Sequence, residues 1–337
     1  MGQGGGPPTA WVRRAISLSA LAIAATVLVG GAPLWFGVAL VIDALRPRRL
    51  AVTRALGFIS VFVLCEAWGV LASGALWAWG LTGPPRDRWL AAHVIVQRRW
   101  AQALSRALVS IVGLRIEVEG PVPSAGPCLV FVRHVSMADT ALPMLVSAIP
   151  HRLSPRYVLK HELLWDPCLD IVGNRLPNAF VDRQAGDGSS LGQVGALATD
   201  LGANEMVVLF PEGTRYTARR RDALIARWAA RGDEAGVARA RALLHTLPPR
   251  PGGALALLRR APPETEVWVL GHLGFEGATR MTDLFSGRLV GAQVAVRAWR
   301  TRLSELPEDD AGRAKWLDQA WSRLDAWVGG LRGTAPT

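Results

Sequence analysis

Two long stretches almost without charge constrain this chain before anything else: Ala15 to Leu45, broken only by Asp43, and Ala55 to Leu81, broken only by Glu66. Each is long enough to cross the roughly 30 Å hydrocarbon core of a bilayer. Residues 1–86 are therefore expected to form a membrane-anchoring segment, with apolar helices at about 15–45 and 55–81. Gly30, Gly31 and Pro33 split the first run, which leaves open one long tilted span or two short helices. Arg13 and Arg14 precede it as in a signal peptide, but the run is too long for such a peptide's apolar core and lacks a clear small-residue cleavage site. Glu66 requires a partner or an interfacial position, because an isolated carboxylate in hydrocarbon costs about 3 kcal/mol. Arginines flank both runs on every side, so the excess of positive charge tips only slightly toward a cytoplasmic catalytic part. The arginine-, alanine- and glycine-rich composition fits a bacterium with a GC-rich genome, and the expected location is the cytoplasmic face of the inner membrane.

The formal net charge is +11, carried almost wholly by arginine. Such a chain attracts phosphates, whether of nucleic acid, lipid headgroups or a nucleotide-bearing substrate. The apolar runs favour membrane lipid. No basic stripe interleaved with aromatics, no zinc spacing and no RNA-binding signature accompanies them, so nucleic acid is not an expected partner. Cys65, Cys128 and Cys168 are odd in number and widely spaced, which implies neither a disulfide framework nor a metal site.

From Asp87 the composition becomes that of a globular domain, expected to occupy residues 87–337. Short β-rich runs at 114–119, 128–132, 157–159, 179–181, 206–210, 267–270 and 289–298 alternate with helical ones at 89–112, 139–149, 192–201, 224–244 and 314–331. This alternation predicts an α/β domain of sheet and helices. The last helix carries Trp316, Leu317, Ala320, Leu324, Trp327 and Leu331 on a helical period and is expected to pack on the sheet.

The sharpest local feature is His134-Val-Ser-Met-Ala-Asp139, directly after the apolar run Cys128 to Val132 and directly before a helical one. Five positions do not bring two side chains together on a straight helix or strand, but a turn between strand and helix does. There an imidazole takes a proton at neutral pH while a carboxylate fixes its tautomer. Spacing alone is weak evidence, since about 0.3 such pairs arise by chance in a chain of this composition. His161 and Asp166 repeat the spacing in a charged, helix-like setting that would separate them. A second feature is Leu209-Phe-Pro-Glu-Gly-Thr-Arg215 at the end of another apolar run: Pro211 ends the ladder, Gly213 lets the backbone turn, and Thr214 and Arg215 offer donors suited to phosphate oxygens. A third stretch runs from Lys160 through Gly173-Asn-Arg175 to Phe180-Val-Asp-Arg183 and puts another cation, Arg183, past a short strand. The arginine-rich stretch from Tyr216 to Arg250 reads either as a solvated face or as a basic helix lying on anionic headgroups.

These residues, in this order, resemble the glycerophospholipid acyltransferase superfamily, especially the lysophosphatidate and lysocardiolipin acyltransferases of the eukaryotic type. His134 with Asp139 matches the first motif, Phe180 to Arg183 the second and Phe210 to Arg215 the third. Leu159-Lys-His-Glu-Leu163 and His245-Thr-Leu-Pro-Pro-Arg250 with Gly253 are similar to two further segments of the eukaryotic-type branch. The resemblance covers about residues 114–277. It implies a glycerolipid acyltransferase-like fold, His134 as general base, Asp139 as its orienting carboxylate, and Arg183, Glu212, Gly213, Thr214 and Arg215 as the substrate-binding set. Lys160 and Arg250 are assigned a substrate or structural role.

The activity implied is transfer of a fatty acyl group from acyl-CoA, or acyl carrier protein, to a lysophospholipid hydroxyl, above all 1-acylglycerol-3-phosphate. No metal, cofactor or covalent acyl-enzyme is implied. Other acceptors (lysocardiolipin, a lyso-ornithine lipid, a glycolipid), transacylation, or a non-catalytic membrane scaffold on the same fold are the alternatives. Two departures from the family pattern stand out: Arg133 sits where Asn is common before the histidine, which is expected to alter how the turn is held or which headgroup is accepted, and 267–271 lacks the proline usual in bacterial members.

Overall fold

The computed structural model describes residues 7–46, 49–181, 189–276, 278 and 281–334. In chain order its elements are α1 (Pro7–Gly30), α2 (Ala32–Leu45), α3 (Ala51–Gly80), α4 (Arg86–Ser110), β1 (Arg115–Glu119), β2 (Cys128–Val132), α5 (Ile149–His151), β3 (Ser154–Lys160), α6 (Pro167–Ile171), β4 (Ala179–Val181), α7 (Ser189–Ala196), β5 (Glu205–Leu209), α8 (Ala218–Ala229), α9 (Glu234–Ala242), α10 (Pro251–Leu258), β6 (Glu266–Leu273), β7 (Gln293–Arg302) and α11 (Asp310–Thr334). They form two units that are not consecutive in sequence: Met1–Leu114 with Arg156–Ser190 and Thr282–Gly291, and Arg115–Pro155 with Leu191–Met281 and Ala292–Thr337.

The first unit is built on the apolar helices. Gly31 separates α1 from α2, so the first apolar run is two helices. Within them, Ala10–Gly30 is long and apolar enough to cross a membrane, as is Ala51–Gly80. Pro84 and Pro85 close α3 and open α4, where a missing N–H at the helix start costs nothing. Glu66 of α3 has its partners: it accepts from Trp100 Nε1 at 2.9 Å and from the Cys168 backbone at 3.1 Å. Gly69 lies where any Cβ would strike the Cys168 sulfur, so α3 and α6 meet closely. Around this contact Val96, Cys168, Val172 and Leu176 form an apolar cluster with Ala72, Leu76 and Trp100. Asp170 of α6, fully buried, is held by the guanidinium groups of both Arg13 and Arg14 at about 3.1 Å. The apolar helices and α4 thus share one unit with α6 and the parallel pair β3 and β4.

In the second unit the strands lie in the order β1-β7-β6-β2-β5. All neighbours are parallel except β6 and β7. β2 is central and all five of its residues are buried, as a strand covered on both faces requires. β7 alternates instead, burying Val294, Val296 and Ala298. α11 packs on the sheet as expected, burying Leu317, Trp321, Leu324 and Val328 on one stripe. It approaches β6 closely because Gly271 has no side chain: a Cβ there would come within 3.1 Å of Leu324 and 3.2 Å of Trp327.

Three expected elements differ. The helix expected at 224–244 is two, because Gly232 turns the chain with φ 70° and Asp233 caps α9 by accepting from Gly236 N. The helix expected at 139–149 begins as a 3₁₀ turn and widens to a π turn, since Pro143 and Pro150 lack the N–H groups of a regular ladder. The last strand starts at Gln293 rather than 289, because residues 287–291 turn with φ near 70° at Gly287 and Gly291.

Candidate active site

Three neighbouring parallel strands end together, and the site lies at their carboxyl ends, where open α/β sheets bind ligands. The register pairs Phe131 of β2 with Leu209 of β5, and Val132 with Leu270 of β6. The next residues of each strand therefore emerge side by side: His134 after β2, Phe210 to Arg215 after β5, and His272 near the end of β6.

His134 Nδ1 lies 3.1 Å from Asp139 Oδ2. The same oxygen accepts the backbone N–H groups of Val135 at 2.5 Å and Ser136 at 2.7 Å, so the turn folds its own backbone around the carboxylate. An ionised carboxylate only accepts, which assigns the proton of His134 to Nδ1 and leaves Nε2 with a free lone pair. Asp139 is fully buried while the His134 side chain is 15% exposed. The Phe210 ring, 4.7 Å away, supports the imidazole. In the look-alike pair, Asp166 caps α6 by accepting from Leu169 N at 2.9 Å.

The loop after β5 holds His134 from the other side. Glu212 accepts the His134 N–H at 2.9 Å on one oxygen and the Leu247 N–H at 2.9 Å on the other. It is expected in the substrate-binding set; in the structure both of its oxygens accept backbone N–H groups and it is 2% exposed, so it braces the turn. Burial pushes its carboxyl up to about 8, against the pull of the two N–H donors and Arg133. Tyr216 N donates to the His134 carbonyl at 2.6 Å. Gly213 turns with φ 71°, in the left-handed region, and the Arg250 side chain lies over it, 3.2 Å from where a Cβ would stand. Arg250 N also donates to the Pro211 carbonyl at 2.8 Å. Gly213, Thr214, Arg215 and Arg250 thus belong to one cluster beside His134. Lys160 is exposed at the end of β3, in the unit of the apolar helices. Arg183 lies outside the described residues.

Arg133 was expected to shape the turn or the headgroup preference. Its side chain points inward and is fully buried, donating to the carbonyls of His272 and His245 and to Glu276 Oε1 at 2.8 Å. It therefore holds the turn by tying the ends of β2 and β6 to the segment after α9. Burial pushes the Glu276 carboxyl up, but the Arg133 guanidinium overrides this and brings it down to about 2. Sequence reasoning missed Asp325 of α11, which accepts from Leu244 N, His245 N and Thr246 Oγ1 at 2.7 to 3.0 Å. The signal was present: an acid next to Leu324 on the stripe that α11 buries demands a partner.

Residues 115–252 match the model of the acyltransferase family. The fold is similar to that of the crystal structure of the 1-acyl-sn-glycerophosphate acyltransferase PlsC from Thermotoga maritima, with TM-score 0.55, 14% identity, and 86% of this chain and 100% of that chain covered. No curated protein sequence matches the chain.

Proposed function

We propose that this chain transfers a fatty acyl group from acyl-CoA to the free hydroxyl of a lysophospholipid, 1-acylglycerol-3-phosphate giving phosphatidate, a reading supported by the match of residues 115–252 to the acyltransferase family model. The observation that carries this reading is the His134 Nδ1 to Asp139 Oδ2 contact, with Nε2 left uncommitted on a partly exposed ring. Nε2 takes the proton of the acceptor hydroxyl as its oxygen attacks the thioester carbonyl. The carbon–sulfur bond breaks, coenzyme A leaves as thiolate, and the proton passes from His134 to the sulfur. Asp139 stabilises the imidazolium between these steps. A thiolate is a good leaving group, so no stronger acid is needed.

The phosphate of the acceptor calls for cations and donors beside the base, and Thr214, Arg215 and Arg250 are assigned to it; a substrate role for Lys160 and Arg183 rests on the family resemblance alone. The choice of 1-acylglycerol-3-phosphate over other acceptors follows the named activity of the fold relative. The likeness to the eukaryotic-type branch rests on the segments at Lys160 and at His245 to Arg250. Helices α1 and α3 anchor the enzyme in the membrane where both lipids dissolve, with the catalytic part on the cytoplasmic face.

The test is transfer of labelled oleoyl from oleoyl-CoA to lysophosphatidate by detergent-solubilised protein, beside a panel of other lysophospholipids. His134→Ala should lower the rate by about 10²- to 10⁴-fold, the usual contribution of a general base. Transfer by the wild type to another acceptor only would overturn the substrate, and an undiminished rate in the variant would overturn the base.

A further inference from the structure

Directly behind the His134 and Asp139 pair lie two buried polar atoms that lack hydrogen-bond partners, Asp139 Oδ1 and His272 Nδ1. Asp139 spends its other oxygen on His134, Val135 and Ser136. Facing Oδ1, at 3.5 Å, is His272 Nε2. That nitrogen also lies 3.1 Å from the Arg133 carbonyl. A carbonyl only accepts, so Nε2 of His272 carries a hydrogen, which is bonded to that carbonyl while the nitrogen stays within electrostatic reach of Oδ1. His272 is fully buried, with the Phe275 ring edge-on at 5.6 Å. Burial disfavours its charged form despite the pull of Asp139, so the ring is neutral and Nδ1 is a bare acceptor.

We propose that His272 is a positioning residue for the His134 and Asp139 pair: its Nε2–H, held in place by the Arg133 carbonyl, turns its positive edge toward the otherwise unbonded far oxygen of Asp139 and so favours the orientation in which the near oxygen faces His134. The inference rests on the acyl-transfer reading above. Its physical content is twofold. Without the N–H dipole facing Oδ1, only the bonds made by Oδ2 set the rotation of the buried carboxylate. It also becomes a stronger proton acceptor, because one fewer dipole stabilises its charge. Both effects bear on His134, the first through its orientation and the second through its proton affinity. Arg133, His134, Glu212 and Glu276 are the other charged or titratable groups facing this pair, and all stay in place when His272 is changed. The signal in the sequence is a histidine inside the apolar strand Val267 to Leu273, two residues past Leu270, which pairs with the last residue of β2.

The test compares the full-length wild type with His272→Gln, His272→Asn and His272→Met in detergent. A glutamine amide nitrogen reaches the place of Nε2, whereas an asparagine amide nitrogen falls near Nδ1 and turns away from Asp139. His272→Met and His272→Asn should lower kcat by about 10- to 100-fold, the scale of a misplaced catalytic group, with KM little changed and the acid limb of the rate profile moved to higher pH. His272→Gln should restore most of kcat and the wild-type limb. Wild-type kcat and limb in the Asn and Met variants, or equal impairment of all three, would overturn the proposal; should the Met variant fail to fold, Asn against Gln decides alone. Titration of the His134 imidazole by NMR in protein with isotopically labelled histidine gives a reading that needs no turnover: its midpoint should rise by about half a pH unit or more in the Asn variant and stay in the Gln variant. No turnover by the wild type would overturn the acyl-transfer reading, while the titration would still settle the His272 contact.

Discussion

Glu212 and Glu276 brace the same turn with opposite electrostatics, and they predict opposite pH dependences. The folded chain holds the Glu212 proton up to about pH 8, whereas an unfolded chain releases it near 4.5. Stability from this group is therefore complete below about pH 4.5 and lost as pH rises toward 8. Thermal melts should show a midpoint that falls between pH 5 and 8 and flattens in Glu212→Gln. Glu276 runs the other way: its folded value is about 2, so its contribution is present above pH 4.5 and disappears as pH falls toward 2. Glu276→Gln leaves the fully buried Arg133 guanidinium without its counter-charge, a loss of about 3 kcal/mol or more, to be read from denaturant unfolding at pH 7. The contact between His134 and Asp139 was foreseeable, because a strand, a turn and a helix start are local events. The inward course of Arg133 was not, since its three acceptors lie more than a hundred residues away.

At the scale of elements, α11 does more than cover the sheet. Asp325 grips 244–246, Leu247 N grips Glu212, and Glu212 grips the His134 N–H. Helix α11 thereby reaches the His134 turn through hydrogen bonds and the short segment 244–247. Asp325→Ala should destabilise the protein by about 3 kcal/mol, because two backbone N–H groups and a hydroxyl lose a charged acceptor. It should also lower kcat while leaving α11 helical, which circular dichroism and steady-state rates would check. The periodicity of Leu317, Leu324 and Trp327 made α11 legible as a helix. What it would hold depended on where the chain after α9 returns, and periodicity carries no such information. The split between α8 and α9 at Gly232 and Asp233 was legible from turn and cap chemistry, although the expectation ran one helix across it.

For the whole molecule, the apolar helices are structural members of the unit they belong to. Asp170 is fully buried and ionically held by Arg13 and Arg14, so removing residues 1–45 to obtain a soluble enzyme should leave an uncompensated buried carboxylate. The truncated protein should aggregate or melt far below the full chain, and Asp170→Asn should recover part of the loss; a truncation that melts like the full chain would contradict this. The sequence by itself determined the apolar helices, the alternation of strands and helices, and the turn that joins His134 to Asp139. Each depends on spacing and composition within about twenty residues, where the chain's own geometry decides which side chains meet. Only the tertiary structure decided that Glu212, Arg133, His272 and Asp325 converge behind one histidine. Their partners are separated by 35 to 143 residues, and such contacts follow from strand order and register rather than from any local pattern. The partner that Glu66 required follows the same rule: the sequence stated the need, since a buried carboxylate must be bonded, and the packing of α3 against α4 and α6 supplied Trp100 and the Cys168 backbone.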